Sequence, residues 1–411
     1  MRIKSVKARQ IINSQGIPTL EVEISTHRNT AVSSVPIAAT KSKYEFRDVY
    51  DHDIKRLKEE NLTMIIDSIH RIVAPELVGQ NAMDQEHLDE LLLKIDDSIE
   101  RNRLGIYTIT AISQTIAKLG ALESDLPLFK YIRVLHDYSD RSNFKLHSEY
   151  RLPIPVITIY RSASHSTQNI LPAQEVLIFP KNGFDYQKHL IQIFKFIQTL
   201  DLDDTRHNLK TFLEDLTKQI TRSKVKLDLG VDMAASRYKR SDNNNYVIPN
   251  LTRNHTNFNG EPHALLSKYL DIIRNTRLSF LEDFYAEDDY YAWKELIDQT
   301  SDIRQNMQIV SDDLTATNLE RLEKVALLES ANNIVFKPTQ IGTVTEIIYF
   351  ALRARKHGLN LTGSYRYGET EDTFIVDLSV GLGAEYIRTG YYKGSEYNSK
   401  LNRLLQIEQS L

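Results

Sequence analysis

The 411-residue chain contains no cysteine, which excludes disulfides, thiolate metal sites and thiol nucleophiles. No apolar run approaches the roughly 20 residues of a membrane span, and Met1 to Lys7 lack the apolar core of a signal peptide. A soluble, cytoplasmic protein is therefore expected. Charge of one sign is missing too: 51 basic residues balance 55 acidic ones to a formal charge of −4, with no basic stripe, so nucleic acid is not an expected partner. Glycine is scarce, 15 residues in all, and eight of them fall between Gly342 and Gly394, where close backbone approach to a ligand is best supported. What remains is 41% hydrophobic and 26% charged, enough for two or three domains or for one large barrel with an appendage.

The segment Thr19-Leu20-Glu21-Val22-Glu23-Ile24 alternates apolar and polar residues, the period of a half-buried strand, and residues 1–38 read as a small sheet. From about 51 to 132 the period turns helical, with Leu88, Leu91, Leu92 and Ile95 on one stripe and Ile109, Ile112, Ile116 and Leu119 on another. Residues 1–133 are thus expected to form an α+β cap domain, 134–151 a polar linker, and 152–411 a further domain opening with Leu152-Pro153-Ile154-Pro155. Beyond 225, β-rich runs at 226–232, 277–283, 307–313, 333–338, 359–365 and 385–390 alternate with helical stretches. Repeated βα units predict a parallel sheet, closed as a TIM-like β/α barrel at this length, so the fold class is α/β.

Barrel enzymes carry their reactive groups at the carboxyl ends of strands. Here those ends hold Asp232, Glu282 with Asp283, Asp312 with Asp313, Lys337, Arg366 and Arg388. Each acid alone is equally a helix-capping carboxylate. Three from successive strands, without His or Cys, form a hard-oxygen set suited to Mg2+. A lysine beside such an ion suits removal of a proton α to a carboxylate.

At these residues the chain resembles the enolase family, phosphopyruvate hydratases, over almost its whole length. The similar segments are ARQIINSQGIPTLEVEI (8–24), VDMAAS (231–236), FLEDFYAEDDYYAW (280–293), IVSDDLTATN (309–318), KPTQIGTVTE (337–346), GETEDTFIVDLSVGL (368–382) and IRTG (387–390). The resemblance implies an N-terminal cap on a β/α barrel, with Asp232, Glu282 and Asp312 as Mg2+ ligands and Lys337 as the base at C2 of 2-phosphoglycerate. It implies Arg366 at the phosphate, and His165, Gln174 and Glu175 near the substrate's phosphate and hydroxyl. It also implies a homodimer or larger homo-oligomer acting on a small phosphorylated carboxylate.

The departures fall on the site. The family's mobile Ser-Gly-Ala-Ser-Thr-Gly loop reads Ile37-Ala38-Ala39-Thr40-Lys41-Ser42, keeping a hydroxyl at Thr40 but neither glycine. The Gly-Asp-Glu-Gly-Gly motif that supplies the acid has no counterpart; the nearest match, LDDTRHNL at 202–209, offers Asp204 as the acid, or else Asp204 or Asn208 simply as a cap of the helix at 209–220. Tyr365 and Tyr367 stand where the family has His and Ser around the phosphate arginine, and Arg388 replaces a lysine that contacts the substrate carboxylate. Three functions follow as expectations: a hydratase weakened in its acid step, with Lys337, Glu175 and Asp204 catalytic; an enzyme of related chemistry on another carboxylate; or a non-catalytic paralogue with a binding role.

Overall fold

The computed structural model describes residues 1–37, 42–46, 62–140, 149–162, 171–181, 185–202, 208–304 and 306–411. Among them no helix is long and apolar enough to cross a membrane. Strands β1 (Ser5–Ile12), β2 (Pro18–Ser25) and β3 (Thr30–Ser34) form an antiparallel meander. The first turn closes because the Asn13 side chain accepts the amides of Gln15 at 2.9 Å and Ile17 at 3.0 Å, while Gly16 takes φ 69°. On β2, Leu20, Val22 and Ile24 face inward onto Ile109, Ile112 and Ile116 of the helix Ile106–Glu123, so both periods read from the sequence meet in one cap core.

The helix Leu128–Ser139 runs through the first six residues of the stretch expected as linker. Its His, Asp and Ser content reads as loop, yet Phe129, Ile132 and His136 lie on one buried face. That face meets the helix Phe374–Gly381 so closely that a Cβ on Gly381 would stand 2.6 Å from Ile132.

The barrel follows: β4 (Ile154–Arg161), β5 (Glu175–Pro180), β6 (Leu227–Asp232), then a small outer hairpin of β7 (Tyr246–Ile248) and β8 (Phe258–Gly260), then β9 (Leu278–Glu282), β10 (Gln308–Ser311), β11 (Asn333–Phe336), β12 (Asn360–Ser364) and β13 (Tyr386–Tyr391). The closed order is β10-β11-β12-β13-β4-β5-β6-β9. All six runs read as strands beyond 225 enter it. The sheet is not wholly parallel as expected: β5 runs antiparallel to both β4 and β6. Apolar periodicity reports burial and not direction, so this reversal leaves no mark in composition. Val156, Leu177, Phe179, Phe280, Val310, Val335 and Tyr386 fill the barrel interior below the mouth.

Cap and barrel are joined by buried polar contacts. Asp89 of the cap accepts from the amide of Thr345 at 2.9 Å and its hydroxyl at 2.7 Å, and from Ser113 Oγ at 2.6 Å. Burial pushes the Asp89 carboxyl up to about 6 against these hydrogen bonds. A folded value above the unfolded one of about 3.9 means that the contribution is complete below pH 4 and is lost as pH rises through about 6. Asp89→Asn should abolish this slope, so the stability gap should move toward the variant by about 2 to 3 kcal/mol between pH 4 and pH 7. Urea denaturation at both pH values measures it; a gap independent of pH would show that the carboxylate is not strained by burial.

Candidate active site at the barrel mouth

Strand register assembles the mouth. Glu175 pairs with Asp232 and Asp232 with Glu282, so three carboxylates stand side by side on the rim. The reversal of β5 is what puts Glu175, its first residue, level with the last residues of β6 and β9. Asp312 and Asp313 follow the end of β10, Lys337 the end of β11, and Tyr365 and Arg366 the end of β12. Arg388 lies within β13, opposite Ser364 on one side and Val156 on the other. Asp283 adopts the left-handed conformation at φ 48° and accepts the amides of Asp312 at 3.1 Å and Asp313 at 3.0 Å, locking the two rim loops together.

These groups surround a cavity of about 150 Å³. Its lining includes six carboxylates, Glu45, Glu175, Asp232, Asp283, Asp312 and Asp313, against three cations, Lys337, Arg366 and Arg388. Each cation is already engaged. Lys337 Nζ donates to Asp312 Oδ2. Arg366 Nη1 donates to Glu45 Oε2 at 2.6 Å, from the cap segment 42–46. The Arg388 guanidinium spans three carboxylates, donating to Glu282, to Glu175 and, at 3.3 Å, to Asp232.

The electrostatics follow from that imbalance. Burial pushes Asp232 up to about 6, Arg388 opposing it and Glu175 and Asp312 adding to it. Burial and neighbouring carboxylates raise Glu282, Asp283 and Asp313 well above the usual range. Glu175 goes the other way: although burial would raise it, Arg388, Arg161 and hydrogen bonds hold it below its ordinary value. Burial would lower Lys337, but Asp312 more than compensates, so its ammonium is held above the ordinary value.

The residues present fit a divalent cation. Glu282 Oε2 and Asp312 Oδ1 are buried without a hydrogen-bond partner among the described residues, and carboxylates outnumber cations around the cavity. Buried oxygens of this kind are costly unless a cation or proton satisfies them. Among the described residues, one carboxylate oxygen from each of Asp283, Asp312 and Asp313 lies within 4.8 Å of the other two. Of the expected trio, Asp312 belongs to this group, while Asp232 and Glu282 each accept from the Arg388 guanidinium.

Of the residues singled out from sequence, Lys337, Glu175, Gln174, Arg366, Tyr367, Arg388, Asp232 and Asp312 line this one cavity, and Glu282 is buried against Arg388. Thr40, His165 and Asp204 lie outside the described residues. Sequence reasoning passed over Arg161, whose guanidinium lies 4.6 to 5.7 Å from the ring centres of Tyr365, Tyr367, Tyr391 and Tyr397. It ends β4, so the strand-end rule that found Lys337 applied to it as well. It passed over Glu45 too, for which no periodicity or motif gives a signal.

Comparison with known proteins agrees with this geometry. The family profile "Enolase, N-terminal domain" matches residues 3–132 and "Enolase, C-terminal TIM barrel domain" residues 196–411. Enolase 1 of Entamoeba histolytica is 30% identical over 444 aligned positions, covering 100% of this chain and 97% of that protein. Enolase B of Dictyostelium discoideum is 31% identical over 435, with 100% and 95% covered, and the enolase of Pelagibacter ubique 30% over 431, with 100% and 97%. The two profiles together match most of the chain, the curated relatives cover all of it at about 30% identity, and the chain belongs to the enolase family.

Proposed function

We propose that the chain is a Mg2+-dependent phosphopyruvate hydratase, converting 2-phosphoglycerate toward phosphoenolpyruvate and water, with its proton-abstraction half better preserved than its dehydration half. The observation that carries this reading is Lys337 at the cavity wall, hydrogen-bonded to Asp312 in a cavity that Arg366 also lines. Asp232, Glu282 and Asp312 would hold the Mg2+, which supplies positive charge against which the substrate carboxylate accepts an electron pair. Glu282 Oε2 and Asp312 Oδ1 support that set, both being buried carboxylate oxygens with no hydrogen-bond partner among the described residues.

Lys337 Nζ is the group that takes the C2 proton. It is protonated while Asp312 pairs with it, and becomes a base when Asp312 is drawn to another cation. Arg366 binds the phosphoryl group once Glu45 yields it. Loss of the C3 hydroxyl as water requires a proton donor, and Glu175 is unsuited to that role. Its two oxygens accept from Thr158, Arg161, Tyr365, Tyr367 and Arg388, which keeps it ionised. A general acid contributes about 10² to 10⁴-fold. In D2O with Mg2+, exchange of the C2 hydrogen of 2-phosphoglycerate is therefore expected to outrun phosphoenolpyruvate formation by about 10²-fold or more, followed by NMR and a coupled assay. Equal rates would mean that an intact acid is present. Absence of both would overturn the hydratase reading and favour a different carboxylate, for which Tyr365 and Tyr367 reshape the cavity. A cytoplasmic homo-oligomer is proposed on the family resemblance alone.

A further inference from the structure

We infer that Arg388 is a tethered cation that competes with the divalent ion for Asp232 and Glu282, and so sets the ion affinity of this mouth. The inference rests on the reading that the mouth takes such an ion. Its basis is geometric. The guanidinium is almost wholly buried and divides its two terminal nitrogens among Glu175, Glu282 and Asp232, two of which belong to the proposed ligand set. It satisfies only part of what it touches: among the described residues Glu282 keeps one oxygen, and Arg388 its Nε, without a partner. A fork of rigidly spaced donors suits the bridging of several carboxylates in a way that a lysine ammonium does not.

Occupation of these carboxylates by Arg388 and by a metal ion is mutually opposed, since both are cations and both need the same lone pairs. An ion entering the Asp232–Glu282 pair must turn Arg388 away, leaving it with Glu175 and with whatever anion enters the cavity. Arg388 is thus a positioning residue, which makes ion binding and the arrival of an anionic substrate favour each other.

The test is Mn2+ binding to the full chain, followed by loss of the free-ion EPR signal, in the wild type, Arg388→Gln and Arg388→Lys. Removing the tethered charge should tighten Mn2+ by about 10-fold or more in Arg388→Gln, with Arg388→Lys intermediate. The thermal midpoint should rise on Mn2+ addition by more in Arg388→Gln than in the wild type. Equal or weaker binding in Arg388→Gln, with the wild type binding, would overturn the inference and leave the ion site standing. If no protein binds Mn2+, the ion site itself fails and the inference with it. Should Arg388→Gln prove unfolded without metal, the comparison of Arg388→Lys with the wild type carries the same sign and decides.

Discussion

Lys337→Ala should lower C2 proton exchange on 2-phosphoglycerate by about 10² to 10⁴-fold, the usual worth of a positioned base. The expectation is specific because Lys337 is the lysine that lines the cavity among the described residues. Its removal also takes the Lys337 ammonium from Asp312 Oδ2, whose neighbour Oδ1 has no hydrogen-bond partner among the described residues. The variant should therefore bind Mn2+ at least as well as the wild type while losing exchange, a separation that a merely structural lysine would not produce. Exchange and EPR-detected binding, measured on the same preparations, check both halves. Retention of wild-type exchange would remove Lys337 from the chemistry.

Glu175→Gln should destabilise the fold by about 3 to 5 kcal/mol, the range for removing one partner of a buried ion pair. Glu175 is fully buried and accepts from Thr158 Oγ1 at 2.9 Å, Arg161 Nε at 2.9 Å, Tyr367 at 3.2 Å, Tyr365 and Arg388. Glutamine turns one of two accepting oxygens into a donor facing donors, and leaves Arg161 and Arg388 with one anion fewer. Because the folded carboxyl lies below its unfolded value of about 4.3, its contribution is present above that pH and lost as pH falls through the depressed value. The wild-type advantage over Glu175→Gln should accordingly be full at pH 7 and shrink in acid. Denaturant unfolding at the two pH values measures this. A cost below about 1 kcal/mol would mean that Glu175 is dispensable to the network and free for another role.

Much of the fold was legible because it is written in periods. Alternation on β2 and the stripe at Ile109, Ile112 and Ile116 met in the cap core, and the six βα repeats beyond 225 all became barrel strands. Strand ends also located the cavity, since Asp232, Asp312, Lys337, Arg366 and Arg388 share it. The pairing among those residues was not legible. Arg388 read as a substrate contact, yet its guanidinium lies among carboxylates contributed by three other strands, a relation set by barrel closure and not by spacing along the chain. Glu45 reaches Arg366 across 321 positions of sequence, a distance over which no local pattern carries information.

The reversed second strand changes which chain ends face the reaction chamber. In an all-parallel barrel, every connection leaving a strand at its carboxyl end overlooks the reaction chamber, and connections entering strands are tucked beneath. For β5 the two roles are exchanged: Gln174, just before the strand, borders the chamber, while Pro180 at its end pairs with Leu227 at the foot of β6. An engineer changing Pro180 would be working on the underside of the barrel, and one changing Gln174 would be editing the chamber itself.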